Sequence, residues 1–100
     1  MSTKEVVQHF TSHLIEKLPL DDALFCGMLK TAGLFPLDVG ANIAARPTRA
    51  EKVNFFLDKV ITPGADVCLP KLLDVMKDSH CPVHIHKLAD DIFVALQSGN

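Results

Sequence analysis

Every apolar pattern in this chain repeats at intervals of three and four residues, and helix breakers cut the pattern into short pieces. No stretch alternates with period two over more than a few positions, so a sheet has no strands to draw on. The breakers are Pro19, Gly33, the run Thr62-Pro63-Gly64, and Pro82. Short connections of this kind bring successive helices side by side, antiparallel or nearly so. The expected fold class is therefore all-α, in one domain covering residues 1–100.

Six helices are expected. The first runs from about Thr3 to Leu18, capped by Ser2 or Thr3, with Val7, Phe10, Leu14 and Leu18 facing inward and Glu5, His9, Ser12 and Glu16 outward. The second covers about Leu20 to Ala32. Asp21 and Asp22 sit in its first turn, where the helix dipole favours negative charge. Leu24, Phe25, Met28 and Leu29 are its core candidates, and Gly33 is its stop. The third, near Leu37 to Ala45, is too short to persist alone and depends on packing through Val39 and Ile43. The fourth opens on "TRAE", Thr48 to Glu51, a capping-box pattern, and buries Val53, Phe56, Leu57 and Val60 before "TPG" ends it. The fifth spans about Asp66 to Asp78, with Pro70 near its first turn and Leu69, Leu72, Leu73 and Met76 inside. The sixth starts with Pro82 at its first position and runs to about Gln97, lined by Ile85, Leu88, Ile92 and Leu96, with Gly99 as terminator.

The densest chemistry is "SHCPVHIH", residues 79–86. His84 and His86, two apart on a helix, project to opposite flanks and cannot share a metal. His80 and His84 are separated by the helix start at Pro82. Two or three converging ligands fall short of the four that a structural zinc site takes. His9 and His13, four apart between Glu5 and Glu16, offer a second two- or three-coordinate possibility, but Phe10 occupies the place of the glutamate in an H-E-x-x-H protease motif. Solvated histidines are the favoured reading of both groups, with no metal and no cofactor expected. Cys81, at a helix N-terminus that lowers a thiol pKa, is the most reactive nucleophile candidate. It supports the rival reading, a small metal- or redox-responsive helical domain using Cys81 and the neighbouring histidines.

No catalytic residues are assigned, and no enzymatic activity is expected. Cys26 and Cys68 lie in apolar stretches and read as core fillers. There is no glycine-rich phosphate loop and no basic stripe with interleaved aromatics. The chain contains neither tyrosine nor tryptophan, and its net charge is −2. Nucleic acid and anionic membranes are thus not expected partners. No apolar run reaches the ~18–20 residues of a spanning helix, and the N-terminus has no signal-peptide pattern. Three widely spaced cysteines fit free thiols in a reducing cytosol.

Charge pattern and apolar surplus remain. Arg46, Arg49, Lys52 and Lys59 cluster around the start and length of the fourth helix, with Phe55 outside its core stripe as an apolar contact candidate. Asp21, Asp22 and Asp38 mark the region of the second and third helices. Basic and acidic patches on different faces of one small domain permit head-to-tail pairing, which makes chains or helical filaments rather than closed dimers. An apolar content of 48% exceeds what so small a core takes up, so part of it is expected at contact surfaces.

The six-helix layout and "RPTRAEKVNFFLDKVITPG", Arg46 to Gly64, resemble the caspase recruitment domain, a branch of the death-fold superfamily. Thr48, Glu51, Lys52, Leu57, Asp58 and Gly64 carry the resemblance, with "LIEKL" (Leu14 to Leu18) and "KLADDI" (Lys87 to Ile92) as flanking helices. The resemblance covers nearly the whole chain. It implies a six-helix antiparallel Greek-key bundle whose function is like-with-like binding, assembling signalling platforms in innate immunity, inflammation or apoptosis. Implied partners are other domains of this family, in a receptor, adaptor, kinase or caspase, and further copies of the chain itself. In the commonest interface of the family, basic residues of the first and fourth helices meet acids of the second and third. Arg49 and Lys52 match the basic side and Asp21, Asp22 and Asp38 approximate the acidic one. The chain departs from the pattern at two points. Thr11 stands where the first helix often carries arginine, leaving Lys17 nearby, and Asn42 stands where a second acid is frequent. Unequal patches also suit a decoy that binds a partner and blocks its polymerisation.

Overall fold

The first helix begins with a hydrogen-bond exchange. The Ser2 hydroxyl accepts from the Glu5 amide, and the Glu5 carboxylate accepts from the Ser2 amide. This complete capping box satisfies two of the amide donors that a helix start leaves without partners. It launches α1 (Thr3–Lys17). The computed structural model describes residues 2–98, and all the regular structure among them is helical. Gly99, expected to terminate the last helix, lies outside the described residues.

The second helix, α2 (Ala23–Thr31), starts later than its pattern suggests. Leu20 and Asp21 form a turn, in which the Asp22 amide donates to the Pro19 carbonyl. Asp22 then becomes the cap, its carboxylate accepting from the Leu24 amide at 3.0 Å. The other end closes as the glycine signal predicts. Gly33 adopts φ 78°, its amide donates to the Lys30 carbonyl, and the Leu34 amide reaches the Leu29 carbonyl. Those two bonds with a left-handed glycine are a Schellman motif, and the buried Leu29 and Leu34 flank it. The short α3 (Leu37–Ala44) has no side-chain cap and packs on α4 (Arg49–Phe56). At Thr48 only half of the expected box forms among the described residues: its hydroxyl accepts from the Glu51 amide, without the return bond.

Where six separate helices are expected, the described residues form five rods. "TPG" does not break the chain between the fourth and fifth helices. Beyond α4 the helix widens into a π turn over Leu57–Ile61, in which the Thr62 amide donates to Leu57 five residues back. It then tightens into a 3-10 turn over Thr62–Gly64 and runs directly into α5 (Ala65–Met76). Pro63 has no amide hydrogen, and its ring would meet the carbonyl four residues earlier in a straight α-helix. The irregular turns occupy that stretch instead. Pro70 also differs from expectation. It is the sixth residue of α5, well inside rather than in the first turn, and it faces solvent. The last helix is α6 (Val83–Ser98).

One apolar core joins the rods. α1 packs against α4, α5 and α6; α2 lies against α5, and α5 against α6. Val6 and Val7 are both buried, on a helix packed against α4, α5 and α6, whereas Phe10 is half-buried. Phe25, Phe56, Ile61, Leu69, Leu72, Met76 and Ile92 fill the centre. Six expected core positions fall outside the buried set: Leu24 is exposed, and Phe10, Met28, Val39, Val60 and Leu96 are half-buried. Gly40 is needed at a close approach. A Cβ there would come 2.8 Å from the Phe35 ring, which itself packs toward Phe56. The radius of gyration is 12.5 Å, close to the ~13 Å usual for a folded chain of this length.

Candidate interaction surfaces

The basic residues converge where α4 begins beside the end of α1. Arg49 reaches back across the helix pair: its Nε donates to the Ile15 carbonyl at 2.7 Å and its Nη2 to the Leu18 carbonyl at 3.1 Å. Both acceptors lie in the last turn of α1 or just beyond it, where carbonyls lack helical partners and the dipole favours a cation. Arg49 thus holds two helices together. Replacing it with glutamate would disturb that junction as well as the surface charge. Lys52, one turn further along α4, is half-buried and shares a small cavity of about 190 Å³ with Arg49, Leu18, Leu20 and Asp21. Lys17, in the last turn of α1, is half-buried too.

Arg46 and Phe55 form a second unit. The guanidinium carbon lies 4.4 Å from the centre of the Phe55 ring, within cation–π range. Phe55 is half-buried and packed against the core, with Arg46 over it, so it is not the bare apolar contact that its place outside the stripe suggested. Nε of Arg46 is buried without a hydrogen-bond partner among the described residues. Lys59 stands exposed on the π turn.

The three acids do not form one patch on a separate face. Asp21 lines the cavity that holds Arg49 and Lys52. Asp22 is exposed, but its carboxylate caps α2. Asp38 stands exposed in the first turn of α3. Asn42, one turn later, donates its side-chain amide to the Asp38 carbonyl at 2.8 Å. Thr11, at the position where the resemblance favours arginine, turns inward and donates its hydroxyl to the Val7 carbonyl.

The histidine-rich segment is organised by Asp78, a residue its pattern did not single out. The Asp78 carboxylate accepts from the His80 amide at 2.9 Å and lies 2.8 Å from His80 Nδ1. Its backbone carbonyl accepts from the Cys81 amide and lies 2.7 Å from His86 Nε2. A carbonyl can only accept, so Nε2 of His86 carries the proton. The His80 backbone bond, followed by the His80 side chain, holds the Asp78 carboxyl below its ordinary pKa. Among the described residues no three His, Cys, Asp or Glu side chains come together as a metal site would require. His9 and His13 flank the Phe10 ring, with His9 edge-on to it. Glu5 is engaged in the Ser2 box, whose backbone bond and then side-chain bond lower its pKa.

The reactivity expected of Cys81 is corrected. The residue is 7% exposed, and its thiol lies 3.5 Å from the Val75 carbonyl. Burial raises its pKa, and the carboxylates of Asp78 and Asp22 push the same way. The cost of burying a thiolate outweighs the helix-start effect. Cys26 behaves similarly: burial raises its pKa against a smaller opposing effect of Lys30, and its thiol donates to the Leu20 carbonyl. All three cysteines are free.

Leu24 and Met28, expected in the core, line a surface instead. α2 and α5 leave an open groove of about 690 Å³ between them, floored by Leu24, Gly27, Met28 and Val75 and edged by Lys71 and Asp74. The spacing Ala23, Gly27, Thr31 put small residues on one face of α2, and that was the available signal for a shallow seam. No described helix is long and apolar enough to cross a membrane. No protein-family model matches the chain, and neither a curated protein nor a solved structure matches it at a significant level.

Proposed function

We propose that the chain is a non-catalytic interaction module of the caspase recruitment domain type, a Greek-key helical bundle acting in the cytoplasm. It binds other domains of its kind, and copies of itself, to assemble signalling complexes of innate immunity, inflammation or apoptosis. The observation that carries this reading is the convergence of Arg49 and Lys52 at the α1–α4 junction, the pair of helices that the sequence resemblance implies for the basic side. Lys17, Arg46 and Lys59 extend that side. Exposed Asp38 and Asp22 supply the acidic side, while Asp21 belongs to the rim of the basic cluster. Electrostatic complementarity of this kind steers encounter and fixes register more than it adds affinity.

Lys52 is the better test position, because Arg49 also ties two helices together. Lys52→Glu is expected to weaken binding to a partner domain, or self-assembly, by about tenfold or more, as like charges meet across the contact. Pull-down and light scattering read the effect, with circular dichroism showing unchanged helicity. A Lys52→Glu chain that binds and assembles like wild type removes this surface from the account.

A further inference from the structure

Five of the six large apolar side chains exposed among the described residues lie on two surfaces that the charge-pairing reading does not use. Leu24, 53% exposed, lines the α2–α5 groove, and Val67, 61% exposed, lies on α5 outside it. Val83, Phe93 and Val94 lie on α6, with Val83 80% and Val94 59% exposed. Along α5 the outward line is Val67, Lys71, Asp74, at helical spacings of four and three. Along α6 it is Val83, Lys87, Asp91, Val94, at spacings of four, four and three. Both run from lysine to aspartate in chain order, so parallel helices would set like charge against like. Laid antiparallel, Lys87 meets Asp74, Asp91 meets Lys71, and Val94 meets Val67. The span from Val67 to Asp74 is seven residues, and so is that from Val94 to Lys87, about 10 Å of helix each. None of the four charged residues is in an ion pair with another described residue; the α5–α6 pair within one chain joins Lys77 to Asp90.

From this match we infer that the outward face of α6 docks antiparallel along α5, at the edge of the α2–α5 groove, in a second copy of the chain. The contact joins unlike surfaces, and each copy carries both halves of it. It rests on the reading of the chain as a like-with-like module and gives that module a second interface, independent of Lys52.

Charge reversal in the full chain tests it. Asp74→Lys sets lysine against Lys87, and Lys87→Glu sets glutamate against Asp74. Each variant alone is expected to self-associate at least about tenfold more weakly than wild type in sedimentation equilibrium. An equimolar mixture restores association, because the glutamate introduced on α6 of one variant then faces the lysine introduced on α5 of the other. The opposite ends of the two variants keep the original pairing of Lys87 with Asp74. Both positions are exposed, and circular dichroism checks that helicity is kept. Two single variants that associate like wild type, a mixture no stronger than its components, or a wild-type chain that stays monomeric at millimolar concentration each overturn the inference. A loss of assembly in Lys52→Glu with none in these two variants would leave the proposed function standing and remove only this contact.

Discussion

Arg49 shows how one side chain can serve the fold while sitting in a candidate binding surface. Its two bonds go to carbonyls 34 and 31 residues away in sequence, and backbone acceptors leave no mark in a residue pattern. That is why its charge was legible and its structural duty was not. Charge-assisted bonds of this type contribute about 1.5–3 kcal/mol each when well formed, less where solvent competes. Arg49→Ala is therefore expected to destabilise the chain by about 1–2 kcal/mol in urea unfolding, and an unchanged midpoint would show the α1–α4 tie to be unimportant. Asp78 gives a pH test. Its carboxyl is held below the ordinary value by His80, so its stabilising contribution is complete above the unfolded carboxylate range. It is lost as pH falls through the lowered folded value. The gap in melting temperature between wild type and Asp78→Asn should be constant above about pH 5 and close at lower pH. A gap that persists unchanged into acid would mean the charge is not what matters. The signal for this hub was present: an aspartate two residues before a backbone donor, just ahead of Pro82, is a turn former.

At the scale of elements, helical periodicity and punctuation located every helix, even α3, which buries only Ile43. It failed where burial depends on neighbours. Val6 is buried because α1 is covered by α4, α5 and α6 together, a fact of tertiary packing. Leu34 is buried from the Schellman turn and Ile61 from the π turn, outside any α-helical stripe. Leu24 has the right spacing for a core residue and faces a groove instead. The glycines provide a matched experiment. Gly27 has open space where a Cβ would stand, while Gly40 faces the Phe35 ring at 2.8 Å. Gly27→Ala should raise stability by about 0.5–1 kcal/mol through helix propensity. Gly40→Ala should lower it by about 1 kcal/mol, since ring displacement outweighs the same gain. Thermal unfolding of both variants decides the matter, and equal stabilisation by the two would rule out the Phe35 contact.

The whole molecule combines a core that holds no buried charged side chain among the described residues with an exterior where charge and exposed apolar groups are distributed over several helix pairs. Fold class was legible from period and punctuation. The arrangement of charge was not, because patches depend on which helices lie together: Asp21, distant from Lys52 in sequence, shares a cavity with it. The histidine segment, chemically the most conspicuous in the sequence, is used to build the α5–α6 turn around Asp78. The central claim is that this helical body exists to associate with its own kind, guided by charge. The growth of assemblies, followed by light scattering as ionic strength rises from about 0.1 to 0.5 M, tests that claim most directly. The account predicts that assemblies form and that their rate of growth falls steadily with salt. A chain that stays monomeric throughout and captures no domain of the family, or assembly indifferent to salt, would contradict it.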